Sequence, residues 1–182
     1  MREKLFQFVK NFAYRYSETE FTLASGLKSH HYFNCKEIIL VPERLALLAE
    51  YLVKEHIPTF IPNLPDSVGG LTLGADPISY SVSLEFFRNG KTVYPLVVRK
   101  EVKDHGTKKE IEGQIEKVKS CLVIDDVITT GASTVKAVQA LRRAGIEVTS
   151  GICILDREEG GMETLQKEGI TMFPIFKKQE FF

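Results

Sequence analysis

The chain has no excess of charge of either sign. Its 182 residues carry 24 Lys and Arg against 24 Asp and Glu, so the formal net charge is zero. A neutral chain has no global field to attract nucleic acid or an acidic membrane. No apolar run approaches the ~18 residues of a spanning helix, and the charged start after Met1 lacks the apolar core of a signal peptide. We therefore expect a protein that binds neither nucleic acid nor membrane.

Cysteine is scarce. The three cysteines, Cys35, Cys121 and Cys153, are odd in number, have no paired spacing and lie in apolar stretches, which favours buried reduced thiols in a cytoplasmic protein. No repeat, low-complexity tract or proline-rich linker divides the chain. Its length suits one domain that buries roughly 70% of its unfolded surface.

From about Ser67 onward, predicted strands alternate with predicted helices. This alternation indicates an α/β fold with a mainly parallel central sheet flanked by helices. Gly90 and Gly145 are placed to end helices. The predicted strands are 67–71, 93–99, 120–124, 147–155 and 170–176, and the predicted helices are 75–88, 132–144 and 160–168.

The first forty residues predict a small N-terminal subdomain. Apolar residues recur at helical spacing from Leu5 to Tyr16, and two short strands, 21–23 and 32–35, flank a Ser-Gly turn. A helix from Pro42 to about His56 should follow.

The stretch 121–134 carries the clearest chemical signal. An apolar run, 122–124, is typical of a buried parallel strand, and Asp125 and Asp126 are predicted to end it. Small and hydroxyl-bearing residues, 129–134, then open a helix whose N-terminus suits an anion. Two adjacent carboxylates suit the vicinal hydroxyls of a ribose. The alternative is an acidic pair that merely caps the helix, but four coinciding features favour a ribose phosphate site.

A basic segment from Arg99 to Glu110 joins two predicted strands. A solvated surface loop explains its charges. It belongs to a polar stretch of roughly twenty residues between the two strands, and that position and length also suit a lid over the site. Both interpretations stay open on the charges alone.

The stretch 123–134 resembles the phosphoribosyl pyrophosphate (PRPP) motif of type I phosphoribosyltransferases. Further segments resemble the orotate phosphoribosyltransferases and together cover nearly the whole chain. These segments are 21–29, 32–34, 69–77, 99–106 and 155–160. The resemblance implies the type I phosphoribosyltransferase fold as a single domain, 1–182, with an N-terminal helix and hood at about 1–40, a core at about 41–182 and a flexible catalytic loop at about 101–116.

The resemblance implies transfer of the 5-phosphoribosyl group from PRPP to orotate, giving orotidine 5′-phosphate and pyrophosphate in UMP synthesis. Mg²⁺ is the implied cofactor, held mainly by PRPP with no direct protein ligand. A homodimer that shares the loop between subunits is the implied working unit. The alternatives are a phosphoribosyltransferase for another base and a PRPP-sensing regulator with the same fold.

The resemblance also assigns residues. The catalytic set is Lys103, His105, Asp125 and Asp126. The PRPP-binding set is Thr72, Leu73, Arg99, Lys100, Lys103, His105, Asp125, Asp126, Val127, Ile128, Thr129, Thr130, Gly131, Ala132 and Ser133. The orotate-binding set is Lys28, Tyr32, Phe33, Thr129 and Arg157.

Three of these assignments bear on the identity of the base or have alternatives. Purine enzymes place an acid where this chain has Thr129, and a neutral hydroxyl there does not repel an anionic pyrimidine. Arg157 suits an anionic base through its donor fork, although an ion pair with a neighbouring glutamate is the alternative. For Tyr32 and Phe33, the alternative to a role in binding the base is ordinary packing of a strand.

The chain departs from some family members at two places. It has Ala24 where those members have lysine, and Thr72-Leu73 where they have a Tyr-Lys pair. Side-chain contacts to pyrophosphate are lost at both places, whereas main-chain amides near the glycines of 69–74 remain able to bind an anion.

Overall fold

The computed structural model describes residues 1–22, 28–101 and 109–182. Its centre is a six-stranded sheet in which all neighbouring strands are parallel except β4 and β5. The strand order is β5-β4-β3-β6-β7-β8. The strands are β3 (Ser67–Leu71), β4 (Tyr94–Val98), β5 (Ile111–Glu112), β6 (Cys121–Ile128), β7 (Ser150–Asp156) and β8 (Thr171–Lys177).

Helices cover both faces of this sheet. One core cluster joins β6 residues such as Ile124 to the helices α1, α3 and α5, and the other joins residues such as Val123 to α6 and α7. None of the helices in the described ranges is both long and apolar enough to cross a membrane. The helices are α1 (Arg2–Phe8), α2 (Lys36–Ile39), α3 (Pro42–Tyr51), α4 (Ile57–Phe60), α5 (Asp76–Arg88), α6 (Ala132–Arg143) and α7 (Gly161–Lys167).

The strand order creates a crevice at the carboxyl end of the sheet. Taken in chain order, the five parallel strands lie in the order 2-1-3-4-5, so the chain reverses direction across the sheet between β3 and β6. These two strands pair only as far as Gly69 and Val123. Ligands of open α/β sheets bind at such a switch point. The residues that follow β3 and those that end β6 therefore face one crevice.

The N-terminal segment forms a separate two-stranded antiparallel sheet from β1 (Tyr14–Thr22) and β2 (Lys28–Phe33). The prediction of a helix as far as Tyr16 was wrong. α1 continues as a π-helical turn that ends at Ala13, and Tyr16 pairs with His31 in the sheet. Cross-strand hydrogen bonds thus override the local helical spacing of the aromatic residues. β2 also stops before Cys35, which precedes the unpredicted helix α2.

The main strands and helices match the predicted pattern, which confirms the α/β fold with a mainly parallel sheet. Gly90 and Gly145 follow α5 and α6 with φ of 76° and 80°, the left-handed conformation that ends helices. The predicted helix from Pro42 is α-helical only to Tyr51 and continues as a π-helical turn to His56.

One predicted boundary near the crevice was wrong. β6 does not end at the aspartates but runs on to Ile128, because β7 keeps pairing with it through Asp156. The predicted loop 101–116 contains β5, in which buried Ile111 pairs with Val98. An apolar side chain therefore ties the far end of that segment to the core.

Candidate active site

Asp125 and Asp126 lie near the carboxyl end of β6, and both side chains are almost completely buried. Alternation along the strand directs them to opposite faces. Asp125 Oδ2 accepts a hydrogen bond from Thr134 Oγ1 at 2.7 Å, and its Oδ1 accepts one from the Asp126 amide at 2.9 Å. Asp126 Oδ1 accepts a hydrogen bond from the Val127 amide at 3.0 Å. The two carboxylates are thereby held in fixed orientations.

Burial raises the pKa of Asp125, and the neighbouring charge of Asp126 raises it further. The hydroxyl of Thr134 and the amide of Asp126 oppose this rise because they stabilise the ionised form. Asp125 is therefore a carboxyl group whose charge depends on a small number of donors. A ligand hydroxyl would add another.

The turn after β3 approaches both carboxylates closely. A Cβ atom built on Gly74 would lie 2.5 Å from Asp126 Oδ1 and 3.1 Å from Asp125 Oδ1. Only glycine leaves both carboxylates in place. In the same turn, Thr72 donates its amide to Val98 and its hydroxyl to Asp76 Oδ2 at 2.6 Å. Leu73 is 48% exposed, so an apolar side chain borders the crevice where some family members carry lysine.

The turn between β6 and α6 forms a small polar cradle. Gly131, with φ of 83°, precedes α6 and allows its first amides to face the cavity. The cavity, of about 30 Å³, is lined by Asp125 and residues 127–134. Val127 and Thr129 are half-buried, Ile128 and Gly131 are buried, and Thr130, Ala132 and Ser133 are exposed. The predicted phosphate segment therefore surrounds one concave site with its backbone.

Arg157 follows β7 and is buried beside the end of β6. Its amide donates to the Ile128 carbonyl, and its Nη2 lies 2.9 Å from Glu159 Oε1. The predicted alternative of an ion pair with a neighbouring glutamate is therefore present. The ion pair is not aligned as a hydrogen bond, because Arg157 Nε and Nη2 and Glu159 Oε2 have no hydrogen-bond partner among the described residues. These two buried donor nitrogens therefore have unused hydrogen-bonding capacity.

The hood residues divide into two groups. Tyr32 is 37% exposed and lies against Phe21, with ring centroids 5.4 Å apart. The ring of Phe33 points the other way and packs in the core beside Tyr14 and Phe181. For the Phe33 ring, strand packing is thus the observed arrangement, since successive side chains of a strand face opposite sides.

Lys28 and the basic segment lie at the rim of the described structure. Lys28 Nζ is 3.8 Å from Glu20 Oε2 across the hairpin, with no described contact to the aspartates. Arg99 Nη2 is 2.6 Å from Glu112 Oε1, and the Lys100 carbonyl accepts a hydrogen bond from Lys136 Nζ. The predicted catalytic residues Lys103 and His105, and also Ala24, fall outside the described residues.

The sequence patterns missed one residue that shapes this site, Lys36, for which they gave no signal. They did indicate a glutamate partner for Arg157, Thr134 at the start of the helix and Gly74 in its turn, although not the contacts of Thr134 and Gly74 with the aspartates. Lys36 Nζ nevertheless lies 3.7 Å from Asp126 Oδ2, although ninety residues separate them in the chain.

The site combines carboxylates that can accept hydrogen bonds from hydroxyl groups, a cradle suited to an anion and the buried guanidinium of Arg157. All three lie at the carboxyl end of the sheet. Groups of three or more His, Cys, Asp or Glu residues that could hold a metal ion do not occur in the described ranges. The carboxylates therefore suit a ligand's hydroxyl groups, or a cation that keeps most of its ligands on substrate and water.

Comparisons with known proteins agree with this geometry. A family model described as phosphoribosyl transferase domain matches residues 36–176. The orotate phosphoribosyltransferase of Leptospira biflexa is 62% identical over 182 residues, which are 100% of this chain and 97% of that protein. The structure also resembles two crystal structures of Mycobacterium tuberculosis H37Rv orotate phosphoribosyltransferase. One, in complex with Fe(III) dicitrate, has a TM-score of 0.81 at 28% identity, covering 99% of this chain and 98% of that one. The other, in complex with PRPP, has a TM-score of 0.75 at 25% identity, covering 100% and 91%.

Proposed function

Since the chain belongs to the orotate phosphoribosyltransferases of the phosphoribosyl transferase domain family, we propose that it transfers the 5-phosphoribosyl group of PRPP to orotate. The products are orotidine 5′-phosphate and pyrophosphate, in the synthesis of UMP. The observation that carries this proposal is the joint placement of the Asp125–Asp126 pair and the 129–134 cradle at the switch point, in a chain 62% identical to an orotate phosphoribosyltransferase over its whole length.

In the proposed complex, the ribose lies over the aspartates and its 5-phosphate lies in the cradle. Carboxylate oxygens accept hydrogen bonds from the two ribose hydroxyls, and amides at the start of α6 donate to the phosphate. The carboxylates are already fixed, because the hydroxyl of Thr134 and the amides of residues 126 and 127 orient them. The sugar is thus oriented before the reaction begins.

Rupture of the bond between C1 of the ribose and the pyrophosphate oxygen builds positive charge on the sugar and negative charge on the leaving group. Two nearby carboxylates favour the positive charge on the sugar. Cations must stabilise the departing pyrophosphate. We assign this task to Arg99, Lys100, Lys103 and His105, of which Lys103 is the proposed main catalytic lysine.

Arg99 requires rearrangement for this role. Its guanidinium contacts Glu112 at 2.6 Å, so pyrophosphate must compete with that carboxylate or share the guanidinium with it. The turn after β3 adds the main-chain amide of Leu73. The amide of Thr72 donates to the carbonyl of Val98, so the proposed contact at Thr72 requires exchange of that bond. No protein nucleophile is needed, because the bond from C1 to pyrophosphate breaks as orotate N1 bonds to C1, and the proton of N1 is released to pyrophosphate or water.

Mg²⁺ is the proposed cofactor and would supply positive charge to the pyrophosphate and ribose oxygens when bound. The residues present fit this ion. Asp126 Oδ2 accepts no hydrogen bond from the described residues, and its contact with Lys36 is 3.7 Å long. Asp125 and Asp126 would hold the ion through the substrate and water.

Orotate is the proposed base because the site offers it donors and has a neutral residue, not an acid, at position 129. Arg157 presents buried donors without hydrogen-bond partners among the described residues, and Thr129 is a half-buried residue with a neutral hydroxyl. Lys28, Tyr32 and the main chain at Phe33 complete the proposed base site from the hood. A carboxylate at position 129 would oppose the negative charge of orotate.

We propose a homodimer in which the second copy covers the outer face of α5. Tyr80, Leu84 and Phe87 form an apolar stripe there and are 49%, 59% and 71% exposed. The spacing of four and three residues places them on one side of the helix. α5 begins directly after the turn that holds Gly74, so a partner on this face borders the active site. We propose that the partner contributes its basic segment to this site, as the family resemblance implies.

A cytoplasmic location is proposed from the cysteines. All three are buried free thiols, an arrangement typical of a reducing compartment.

Steady-state assays with PRPP, Mg²⁺ and a panel of bases test the proposed function. Orotate should be consumed with saturation kinetics, whereas uracil, xanthine and hypoxanthine should react at least a hundredfold more slowly. Transfer to one of the other bases in preference would assign the enzyme to that base. PRPP binding without turnover on any base would instead indicate a PRPP-sensing regulator.

A further inference from the structure

Lys36 is a charged residue beside the active site with no assigned role. It opens α2 next to Cys35, whose thiol is completely buried. Its Nζ lies 3.7 Å from Asp126 Oδ2, and half of its side-chain surface is exposed. At 3.7 Å the contact is longer than a hydrogen bond. The ammonium group is therefore held near Asp126 and still has donors to offer to a ligand.

Four charged groups converge around Cys35. Burial raises the pKa of the Cys35 thiol well above its usual range, the charges of Asp126 and Asp125 raise it further, and those of Lys36 and Arg157 lower it. These four groups are near enough to the thiol to shift its pKa, and the direct contact among them is that of Lys36 with Asp126 at 3.7 Å. Lys36 belongs to this cluster and is not an isolated surface lysine.

The two cations differ in what they offer to an anion. Arg157 lies 2.9 Å from Glu159, so the pair has almost no net charge. The two aspartates repel an anionic base. Lys36 supplies positive charge on the solvent side of Asp126. Without it, the described charges of the cluster together with Glu159 would be more negative where an anion has to bind.

The chemistry of orotate places its carboxylate on this side. The carboxylate is bonded to the ring carbon next to N1, and N1 is the atom that bonds C1 of the ribose. The carboxylate therefore lies beside the sugar, which Asp126 is proposed to hold. We propose that Lys36 binds the carboxylate of orotate and selects an anionic pyrimidine over a neutral one. This inference rests on the proposed function and assigns to Lys36 part of its base specificity.

The affinities of two nucleotides distinguish this role of Lys36 from a general effect on ligand binding. Orotidine 5′-phosphate and uridine 5′-phosphate share the phosphate, the ribose and the pyrimidine ring, and differ only in the carboxylate. Titration calorimetry gives the affinity of each for the wild type, Lys36→Gln and Lys36→Arg. Lys54→Gln is the matched control, because Lys54 is 47% exposed and contacts Glu50 at 2.7 Å on the surface.

Lys36→Gln should weaken orotidine 5′-phosphate binding about tenfold or more and uridine 5′-phosphate binding less than twofold, because a charge-assisted contact is lost with only one ligand. Lys36→Arg should keep most of the preference, and Lys54→Gln should keep all of it. Equal losses for both nucleotides would show that Lys36 acts through Asp126 and the ribose, which overturns the inference. Unchanged affinities would overturn it too.

A separate result marks failure of the proposed function. If the wild type neither consumes orotate nor prefers orotidine 5′-phosphate, both proposals fall. If the wild type does both and Lys36→Gln retains the preference with an unchanged melting temperature, only the role of Lys36 falls.

Discussion

Thr134 donates its hydroxyl to Asp125 across 2.7 Å, so the first turn of α6 orients the carboxylate near the end of β6. This single bond links the phosphate cradle to the ribose site. It also stabilises the ionised form of a carboxyl group whose pKa burial raises. The relationship makes the two halves of the PRPP site one unit.

Replacement of Thr134 by valine should remove the hydrogen bond that links the phosphate cradle to the ribose site. The change keeps the shape of the side chain but leaves Asp125 Oδ2 without its donor, which should destabilise the fold by about 1 to 3 kcal/mol. The pKa of Asp125 should rise, so the acid limb of kcat/KM for PRPP should move to higher pH. Thr134→Ser is the control and should retain the wild-type profile. An unmoved acid limb in Thr134→Val would show that Asp125 ionisation does not govern PRPP use.

Asp125 should leave a signature in the dependence of stability on pH. Its folded-state pKa is raised, so ionisation of Asp125 opposes folding. Its contribution to stability is greatest below the ordinary carboxyl pKa and is lost as pH rises through the raised pKa. The melting temperature of Asp125→Asn, relative to that of the wild type, should therefore increase with pH across this window. Parallel curves for the two proteins would contradict the raised pKa.

Gly74 and Gly70 should respond differently to alanine. At Gly74 the new methyl group would meet the ends of the two carboxylates, which can rotate away, whereas at Gly70 it would lie 2.1 Å from the carbonyl oxygen of Ile124. Gly74→Ala should therefore keep its melting temperature within a few degrees and lose at least tenfold in kcat/KM for PRPP. Gly70→Ala should unfold at a much lower temperature, because the carbonyl of Ile124 is part of the backbone of β6 and cannot move away from the new methyl group. Wild-type activity in Gly74→Ala would show that the observed carboxylate positions are not required.

A charge on the α5 stripe should break the proposed dimer. Leu84→Glu would place a carboxylate in the apolar contact, and sedimentation velocity should then show monomers at concentrations where the wild type is dimeric. Activity should decrease together with the fraction of dimer, because the partner is proposed to contribute to the site. Lys167→Glu, an exposed change on α7, should leave the dimer intact. Monomeric wild type at micromolar concentration would contradict the proposed interface.

Local patterns in the sequence predicted most of the fold. The strand at 67–71 and the helix at 132–144 followed from hydrophobic runs and glycine caps, because those signals depend on neighbouring residues alone. The predicted end of β6 was wrong because pairing with β7, a tertiary effect, holds Asp125 and Asp126 in the strand. The extension of β1 over Tyr16 had the same kind of cause.

The candidate site was predictable where its residues are adjacent in sequence. The aspartate pair and the cradle were recognised together as one continuous motif, and the family resemblance added Arg157. The contact of Lys36 with Asp126 was not predicted, because the fold brings together two residues that are ninety positions apart in the chain. The assigned roles of Lys103 and His105 remain predictions.

The most direct test of the central claim is a single reaction followed by product analysis. Orotate and PRPP are incubated with Mg²⁺ and the wild type, and orotidine 5′-phosphate and pyrophosphate are quantified by chromatography, with the Asp125→Asn, Asp126→Asn double variant as control. Equimolar formation of the two products by the wild type, reduced at least a thousandfold in the double variant, is the predicted result. Absence of orotidine 5′-phosphate from a reaction with folded wild type that binds PRPP would contradict the account.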